Sequence, residues 1–255
     1  MVKQILLLII AFLLGLLYRP DVYADPRSVS PEPETLSVQN IHIATGIWPG
    51  FTEPNEQGAY FALIKLLFPS EVTFHVTYTS FNRSLKMVED QQADMVLAIG
   101  LNDSSTVLRS ARPFDVDQIA VLYKTGRVQF ETPADLVNYQ LVTQRGYNYD
   151  LALGISTQTY EVDSILTGIN LVKTDRVDVF LVEKTELEAK FMLNQLDDMQ
   201  LDFIAGEFIY VGFVNNERGA ALKAWWDIHF EQHLQTGVLK AWYQQHASMT
   251  LPESF

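Results

Sequence analysis

The sequence predicts an α/β fold with mostly parallel sheets, and three features of the chain support this interpretation. Short apolar runs bounded by turn residues, such as Met95–Ile99, are typical of strands buried on both faces. Segments with apolar residues at helical spacing alternate with these runs, as in chains that build parallel sheets. Even without the predicted export signal at residues 1–24, the 255-residue chain is long enough for one large domain or two small ones.

Apolar periodicity places the individual elements. Apolar and polar residues alternate over 72–78, which predicts a strand, and Phe81, Leu85 and Val88 share one face of a helix that Ser80 can cap. We predict further strands at residues 41–44, 95–99, 119–123, 141–143, 177–182 and 208–214. We predict helices at residues 60–68, 81–92, from 132 onward, 159–167, 187–196, 218–234 and 239–246.

The first 24 residues have the pattern of a secretory signal peptide. Lys3 supplies a positive charge, residues 5–17 are nearly all apolar, and residues 22–24 form a small-residue cleavage site. We therefore predict cleavage after Ala24 and a periplasmic location. The alternative is a retained membrane anchor, although the apolar run is short for a bilayer span. Residues 25–40, rich in Pro, Ser and Glu, are expected to form a flexible leader, and no later stretch is expected to span a membrane.

Composition excludes several classes of function. The chain has 18 basic and 31 acidic residues and a formal net charge of −13, which makes it a poor partner for nucleic acid. It has no cysteine, which excludes disulfides, thiolate catalysis and zinc-thiolate sites. His229 and His233 lie four residues apart, but no third metal ligand is evident, so we predict neither a metal nor a cofactor. Nucleophile, phosphate-loop and dinucleotide motifs are also missing.

The loop after strand 95–99 is the first candidate for a binding site. Residues 102–106 are rich in hydroxyl groups, and Arg109 and Arg112 follow. In open α/β sheets, ligands bind beyond the carboxyl ends of the strands. This loop therefore suits a small polar or anionic ligand.

Several short motifs occur in a definite order along the chain. The first strand ends in the turn W-P-G-F, and the helix before strand 95–99 ends in Q-Q-A-D. The segments R-P-F at 112–114 and T-D-R-V-D-V at 174–179 follow, and the chain ends with A-L-K-A-W-W and then T-G-V-L-K-A-W-Y. In this order, the motifs resemble those of the family 3 extracellular solute-binding proteins, the periplasmic receptors that typically serve amino-acid ABC importers. The segment R-P-F resembles the family's S-x-P-Y, T-D-R-V-D-V resembles its x-g-r-v-D-a, and the ending resembles its closing helices.

This resemblance implies a two-lobed, Venus-flytrap architecture with two crossovers and a ligand in the cleft between the lobes. Carried onto this chain, the first lobe comprises residues 41–120 and 211–255, and the second comprises residues 121–210. Each lobe would be a mostly parallel sheet flanked by helices. Ligand binding would close the two lobes about a hinge.

The resemblance also implies a set of ligand-binding residues. In amino-acid receptors of this family, an arginine after strand 95–99 holds the ligand carboxylate in two parallel hydrogen bonds. Thr106 occupies that position here, so Arg109, three residues later, is predicted as the substitute, the alternative being a surface ion pair. Glu183, at the end of strand 177–182, is predicted to meet the ligand ammonium, the alternative being an exposed loop acid.

Other predicted ligand contacts come from two turns. Trp48 and Phe51 are predicted to form an apolar wall, with ordinary core packing as the alternative. Arg145 and Tyr147 belong to a Gly-containing turn at a helix start, where backbone N–H groups favour an anion. With Thr106, Ala62 is a second departure from the family pattern, because the family often has an acid there.

These observations predict a monomeric periplasmic protein that binds a small polar solute, an amino acid or a related organic ion, and delivers it to an ABC-type permease. No enzymatic chemistry is expected. Two alternatives remain open. One is a stand-alone sensor or interaction protein of the same fold. The other is a periplasmic dehydratase-type enzyme, for which Glu183 would be the candidate acid or base.

Overall fold

The computed structural model of the protein describes residues 36–190 and 198–252. The predicted signal peptide, most of the leader at 25–40 and part of the predicted helix 187–196 lie outside the described residues. Everything described belongs to one compact unit. No helix in the described ranges has both the length and the apolar character that a membrane crossing requires.

Strands and helices alternate along the described chain, as the periodicity predicts. The strands are β1 (Asn40–Thr45), β2 (Thr73–Tyr78), β3 (Met95–Ile99), β4 (Leu108–Arg109), β5 (Asp115–Lys124), β6 (Leu141–Gln144), β7 (Thr159–Val162), β8 (Val179–Glu183) and β9 (Met199–Phe213). The helices are α1 (Ala59–Leu67), α2 (Phe81–Glu89), α3 (Tyr149–Ala152), α4 (Ile165–Lys173), α5 (Lys184–Lys190), α6 (Glu217–Gln235) and α7 (Val238–Gln245), with a 3₁₀ helix at Pro133–Asn138.

The strands form a mixed sheet in the order β2-β1-β3-β9-β5-β8-β6-β7, with β4 paired to β9. At one end, β1 is parallel to β2 and β3; at the other, β6 is parallel to β7 and β8. Between these two groups, β5 and β9 run antiparallel to their neighbours. The predicted α/β class is therefore confirmed: the strands within each lobe are parallel, and the antiparallel pairs belong to the crossovers.

The two crossovers are the paired strands β5 and β9. Their ladder runs from Asp115 opposite Ile209 to Lys124 opposite Met199, with a register irregularity between Ile119 and Ala120. The sequence predicts only residues 208–214 as a strand, yet β9 begins at Met199. The amino-terminal half of β9 carries polar residues and glycine, which hide it from a search for apolar runs. This half is a strand because its backbone groups pair with those of β5, and not because of its own sequence pattern.

The predicted helix at residues 159–167 is wrong in its first half. Residues Thr159–Val162 form strand β7, which pairs in parallel with β6, and α4 begins only at Ile165. Ser164 caps α4 by accepting a hydrogen bond from the backbone N–H of Thr167 at 3.2 Å. The true helix start is thus a serine five residues beyond the threonine from which the helix was predicted.

Each lobe has its own apolar core. In the first lobe, Trp226 on α6 packs against Phe114 and Phe213, and all three are buried. In the second lobe, Phe180 of β8 is fully buried against α4, where Gly168 leaves room for its ring. Burial of a large apolar side chain stabilises a fold by about 1.5–3 kcal/mol. Each lobe therefore has its own stabilising core on its side of the paired crossover strands.

Candidate ligand-binding site

A cavity of about 60 Å³ lies between the two lobes. It is bordered by the segments that follow β1, β3 and β6, and by the end of β8, so it lies at the carboxyl ends of parallel strands. Asp117 and Glu207 of the crossover strands complete it. Both lobes and both crossovers therefore contribute to one site.

Aromatic rings form much of the cavity wall. Trp48 lies 6.3 Å from Phe81 between ring centroids, and Phe51 lies 5.0 Å from Tyr60, all on the first lobe. On the second lobe, Tyr147 and Tyr149 are 5.4 Å apart. The six rings that line the cavity are those of Trp48, Phe51, Tyr60, Phe81, Tyr147 and Tyr149.

Hydrogen bonds join the two lobes across the cavity. The indole Nε1 of Trp48 donates to the hydroxyl of Tyr147 at 2.9 Å, and that hydroxyl donates to Oε2 of Glu186 at 3.1 Å. Asn148 Nδ2 donates to Oδ1 of Asp103 at 2.9 Å. These contacts mean that the structure describes the lobes in a closed arrangement.

Gly146 lies where the second lobe approaches the first most closely. Its φ of +90° is a backbone conformation that side chains disfavour, and a Cβ there would lie 2.6 Å from Oδ1 of Asn82. A glycine is therefore required both by the turn and by the lobe contact. The sequence prediction found this turn but not its role in closure.

Five carboxylates line the cavity: Asp103, Asp117, Glu183, Glu186 and Glu207. Within the described residues, no Arg or Lys side chain lines it. Glu183 caps α5, because its carboxylate accepts hydrogen bonds from the backbone N–H groups of Thr185 and Glu186. Burial nevertheless raises the pKa of Glu183 above its ordinary value. Because the Glu183 carboxylate already accepts these backbone hydrogen bonds, only part of its capacity is left for a ligand.

Asp117 and Glu207 lie on the crossover strands and have fewer partners. The Tyr149 hydroxyl donates to Asp117 at 3.3 Å, but burial, and then the charges of Glu183, Asp115 and Glu207, raise the pKa of Asp117 well above its ordinary value. Burial, followed by the charge of Asp103, raises the pKa of Glu207 to about 7. Both carboxyl groups therefore hold protons more tightly than carboxyl groups in water do.

Asp115 lies at the start of the β5 crossover, beneath the aromatic wall. It is 3% exposed and accepts hydrogen bonds from the Tyr60 hydroxyl at 3.1 Å and from the backbone N–H of Thr250 at 2.8 Å. Burial outweighs these hydrogen bonds and raises the pKa of Asp115 to about 7. The hydrogen bond from Thr250 thereby attaches the carboxyl-terminal segment to the crossover strand β5.

Four of the residues predicted for the site lie on the cavity wall: Trp48, Phe51, Tyr147 and Glu183. The loops after β1 and β6 bring Trp48 and Tyr147 into direct hydrogen-bond contact. Glu183 closes β8 at the carboxyl edge of the second lobe. The sequence argument therefore placed these four residues at the edge of each lobe that borders the cavity.

The other three predicted residues lie elsewhere. Thr106 is in an exposed loop, where its hydroxyl donates to Glu89 at 3.3 Å. Arg109 donates to the carbonyl oxygen of Leu101 at 2.9 Å and covers the Tyr210 ring at 5.2 Å, beside a separate open depression. Its strand, β4, pairs with β9, which turns this segment away from the cleft. Arg145 is exposed and pairs with Glu161 at 2.9 Å and with Asp163 at 2.8 Å.

The sequence argument missed Asp103, Asp117, Glu186 and Glu207, the remaining acids of the cavity. Asp117 stands just before the apolar run of β5, and Glu207 stands just before that of β9. An acid at the entrance of each predicted crossover is a signal that could have been used, because the crossovers border the cleft. His229 and His233, noted in the sequence for their spacing, do not line the cavity, and His229 stacks on Trp225 at 3.9 Å.

The described residues contain no group of three or more His, Asp or Glu side chains placed to hold a metal ion. The five carboxylates of the cleft surround a cavity that also has aromatic walls. Such a cavity can bind a small polar or charged organic molecule by contact on several sides.

Comparisons with known proteins define the fold. A scan against protein-family models finds no match, and no curated protein matches the sequence. Solved structures do match, at 14–15% identity and TM-scores of 0.60–0.64. A substrate-binding protein of an ABC uptake transporter from Streptococcus pneumoniae, with bound histidine, is 15% identical with a TM-score of 0.63, covering 85% of this chain and 95% of its own.

Two further matches extend the range of this fold. The GluR0 ligand-binding core in complex with L-glutamate is 14% identical with a TM-score of 0.64, covering 82% of this chain and 98% of its own. The ancestral amino acid-binding protein AncCDT-1, a precursor of cyclohexadienyl dehydratase, is 14% identical with a TM-score of 0.60, covering 81% and 97%. The chain therefore has the two-lobed fold of these solute-binding proteins, as the sequence resemblance implies.

Proposed function

We propose that the protein is a periplasmic receptor that captures a small polar solute between its lobes and delivers it to an ABC-type permease. The observation that carries this proposal is the composition of the cavity wall. Side chains from both lobes and both crossovers line one small cavity, so a ligand there contacts every part that closure brings together. A solute that binds only the closed form shifts the protein toward that form.

The test is a ligand screen that measures binding and closure together. The chain from Asp25 onward would be screened by thermal shift against amino acids, amines, dicarboxylates and neutral polyols. A ligand at a hundredfold excess over its Kd stabilises the folded state by about 2.7 kcal/mol. Small-angle scattering should then show a smaller radius of gyration with the ligand than without it.

A matched pair of variants identifies the binding site. Asp117→Asn alters the cavity, and Glu71→Gln alters an exposed acid outside the cavity. We expect the first substitution to weaken binding and the second to leave it unchanged. Binding that survives Asp117→Asn would place the binding site elsewhere, and no binding from any solute class would contradict the proposed receptor function.

One observation favours a second candidate, an enzyme of the dehydratase type. The raised pKa of Glu207, about 7, makes a protonated carboxyl group available at neutral pH, as general acid catalysis requires. AncCDT-1, which has the same fold, is described as a precursor of cyclohexadienyl dehydratase. Catalysed loss of a bound hydroxylated ring acid, followed by NMR, would support the enzyme and should disappear in Glu207→Gln.

A further inference from the structure

Two carboxylates face each other across the crossover ribbon at the cavity. Asp117 on β5 and Glu207 on β9 are direct partners in the antiparallel register. Directly opposed residues project from the same face, with Cβ atoms about 4.5–5.5 Å apart, and like charges in such positions destabilise the ladder. The pair therefore costs stability in the empty protein whenever both groups are ionised.

The described residues do not neutralise this pair. The Glu207 carboxylate has no hydrogen-bond or ion-pair partner among residues 36–190 and 198–252, and it lies against the backbone of Gly100, where a Cβ would be 2.3 Å from its Oε1. Asp117 receives one hydrogen bond there, from the Tyr149 hydroxyl. Buried charges are ordinarily paired with an opposite charge, and no described residue supplies a positive charge to Asp117 and Glu207.

The aromatic wall complements such a partner. Trp48, Phe51 and Tyr60 line the cavity from the first lobe, and Tyr147 and Tyr149 from the second. The face of an aromatic ring attracts a cation, and the ring also accommodates an apolar chain. This second observation is independent of the carboxylates, and it distinguishes the cavity from an acidic patch on the surface.

Within the described residues, the cleft offers no cationic side chain to a ligand carboxylate. Arg109 and Arg145 make their contacts outside the cavity, as described above. A ligand carboxylate would meet five acids and no Arg or Lys side chain from the described residues. Juxtaposed like charges of this kind discriminate strongly against a ligand.

We propose that the cleft binds a small organic cation that has N–H donors and no carboxylate, an amine or a guanidine, held between Asp117 and Glu207. This inference rests on the proposed receptor function and narrows its ligand class. N–H donors of a cation form charge-assisted hydrogen bonds to carboxylates. The cavity of about 60 Å³ is smaller than the roughly 150 Å³ that admits benzene. The closed cleft therefore fits a short amine, and a longer one requires the lobes to part.

The experiment compares ligands that differ only in the carboxylate. Isothermal titration calorimetry would measure three pairs: ethylamine and alanine, histamine and histidine, agmatine and arginine. In at least one pair, the amine should bind about tenfold or more tightly than the amino acid, because the carboxylate of the amino acid would meet like charges in the cleft. Binding of the preferred amine should strengthen about tenfold from pH 6 to pH 8, as the Glu207 carboxyl group, with a pKa of about 7, ionises.

Two substitutions test the carboxylate pair. Glu207→Gln and Asp117→Asn keep the size of the side chain and remove the charge, and each should weaken amine binding about tenfold or more and reduce its pH dependence. Glu71→Gln removes one charge from an exposed position outside the cavity and should leave both unchanged. Far-ultraviolet circular dichroism would verify that each variant is folded.

The outcomes separate this inference from the function on which it rests. If no pair shows tighter binding of the amine, or if no amine binds, the cation inference fails. The receptor proposal then stands as long as any solute in the wider screen closes the lobes. If the amine binds but Glu207→Gln and Asp117→Asn leave its affinity unchanged, the site assignment is wrong and the inference is overturned.

Discussion

The cleft and the outer faces of the lobes are both acidic, but among the described residues several outer acids pair with cations, whereas Asp117 and Glu207 in the cleft do not. On the outside, Asp94 accepts hydrogen bonds from Arg218, and Lys124 pairs with Asp175 at 2.8 Å. Burial alone would raise the pKa of Asp94, but its hydrogen bonds from Arg218 and His42 lower it below its ordinary value. In the cleft, the pKa of Glu207 rises to about 7.

This difference shows that the net charge of the chain does not reveal which of its acids lack a positive partner. The outer acids have partners supplied by the same chain, whereas Asp117 and Glu207 face a cavity. An amine in the cleft would give the inner acids what Arg218 gives Asp94. Three predictions test this contrast, from the largest expected effect to the smallest.

The stability of the ligand-free protein should fall as pH rises from 5 to 8. The folded chain keeps the protons of Asp115 and Glu207 up to a pKa of about 7, whereas the unfolded chain loses them near pH 4. Unfolding therefore releases protons in this window, and the free energy of unfolding falls by an amount on the order of 5 kcal/mol for the two groups together. Urea denaturation at several pH values measures it.

The matched variants sharpen this result. Glu207→Gln should raise the free energy of unfolding at pH 8 and flatten its dependence on pH, and Glu71→Gln should do neither. A protein that becomes more stable between pH 5 and pH 8 without ligand would show that the cleft acids are not held in their protonated form.

Tyr147→Phe should weaken closure without disturbing either lobe core. The substitution removes the hydroxyl that accepts from Trp48 and donates to Glu186 across the cavity. Losing a hydrogen bond that leaves buried polar groups without a partner costs about 1–3 kcal/mol, so the Kd should rise about tenfold. Titration calorimetry measures the affinity, and an unchanged Kd would mean that the contact does not contribute to closure.

Arg145→Ala should have the smallest effect. Arg145 is exposed and pairs with Glu161 and Asp163 on the outside of the second lobe. Exposed ion pairs contribute little, so we expect the Kd of the ligand to change by less than about twofold. A large loss of affinity would place Arg145 in the ligand site and would contradict the conclusion that the cleft has no cationic side chain among the described residues.

The sequence predicted those parts of the fold that depend on local pattern. The buried strand Met95–Ile99 and the long helix α6 were found because their apolar residues repeat at the period of the element. The amino-terminal half of β9 was missed because it is held by pairing with β5, which is distant in the chain. The helix predicted from Thr159 failed for a similar reason: β7 exists through its ladder with β6.

The sequence indicated two turns of the candidate site but not the carboxylates on its crossover strands. The turns at Trp48 and Tyr147 were identifiable because aromatic residues follow predicted strands. The facing of Asp117 and Glu207 could not be read from the chain, because it depends on the register between two strands about 90 residues apart. Arg109 was predicted as a clamp from its order in the sequence, whereas its contacts follow from the pairing of β4 with β9.

The paired crossover strands have a mechanical consequence. β5 and β9 are hydrogen-bonded to each other along most of β5, so neither strand can move without its partner unless the ladder breaks. Asp117 and Glu207 lie on this paired ribbon, which joins the two lobes. If the cleft binds a cation as proposed, neutralising this one cross-strand pair acts on the connection between the lobes itself, without a relay through either lobe.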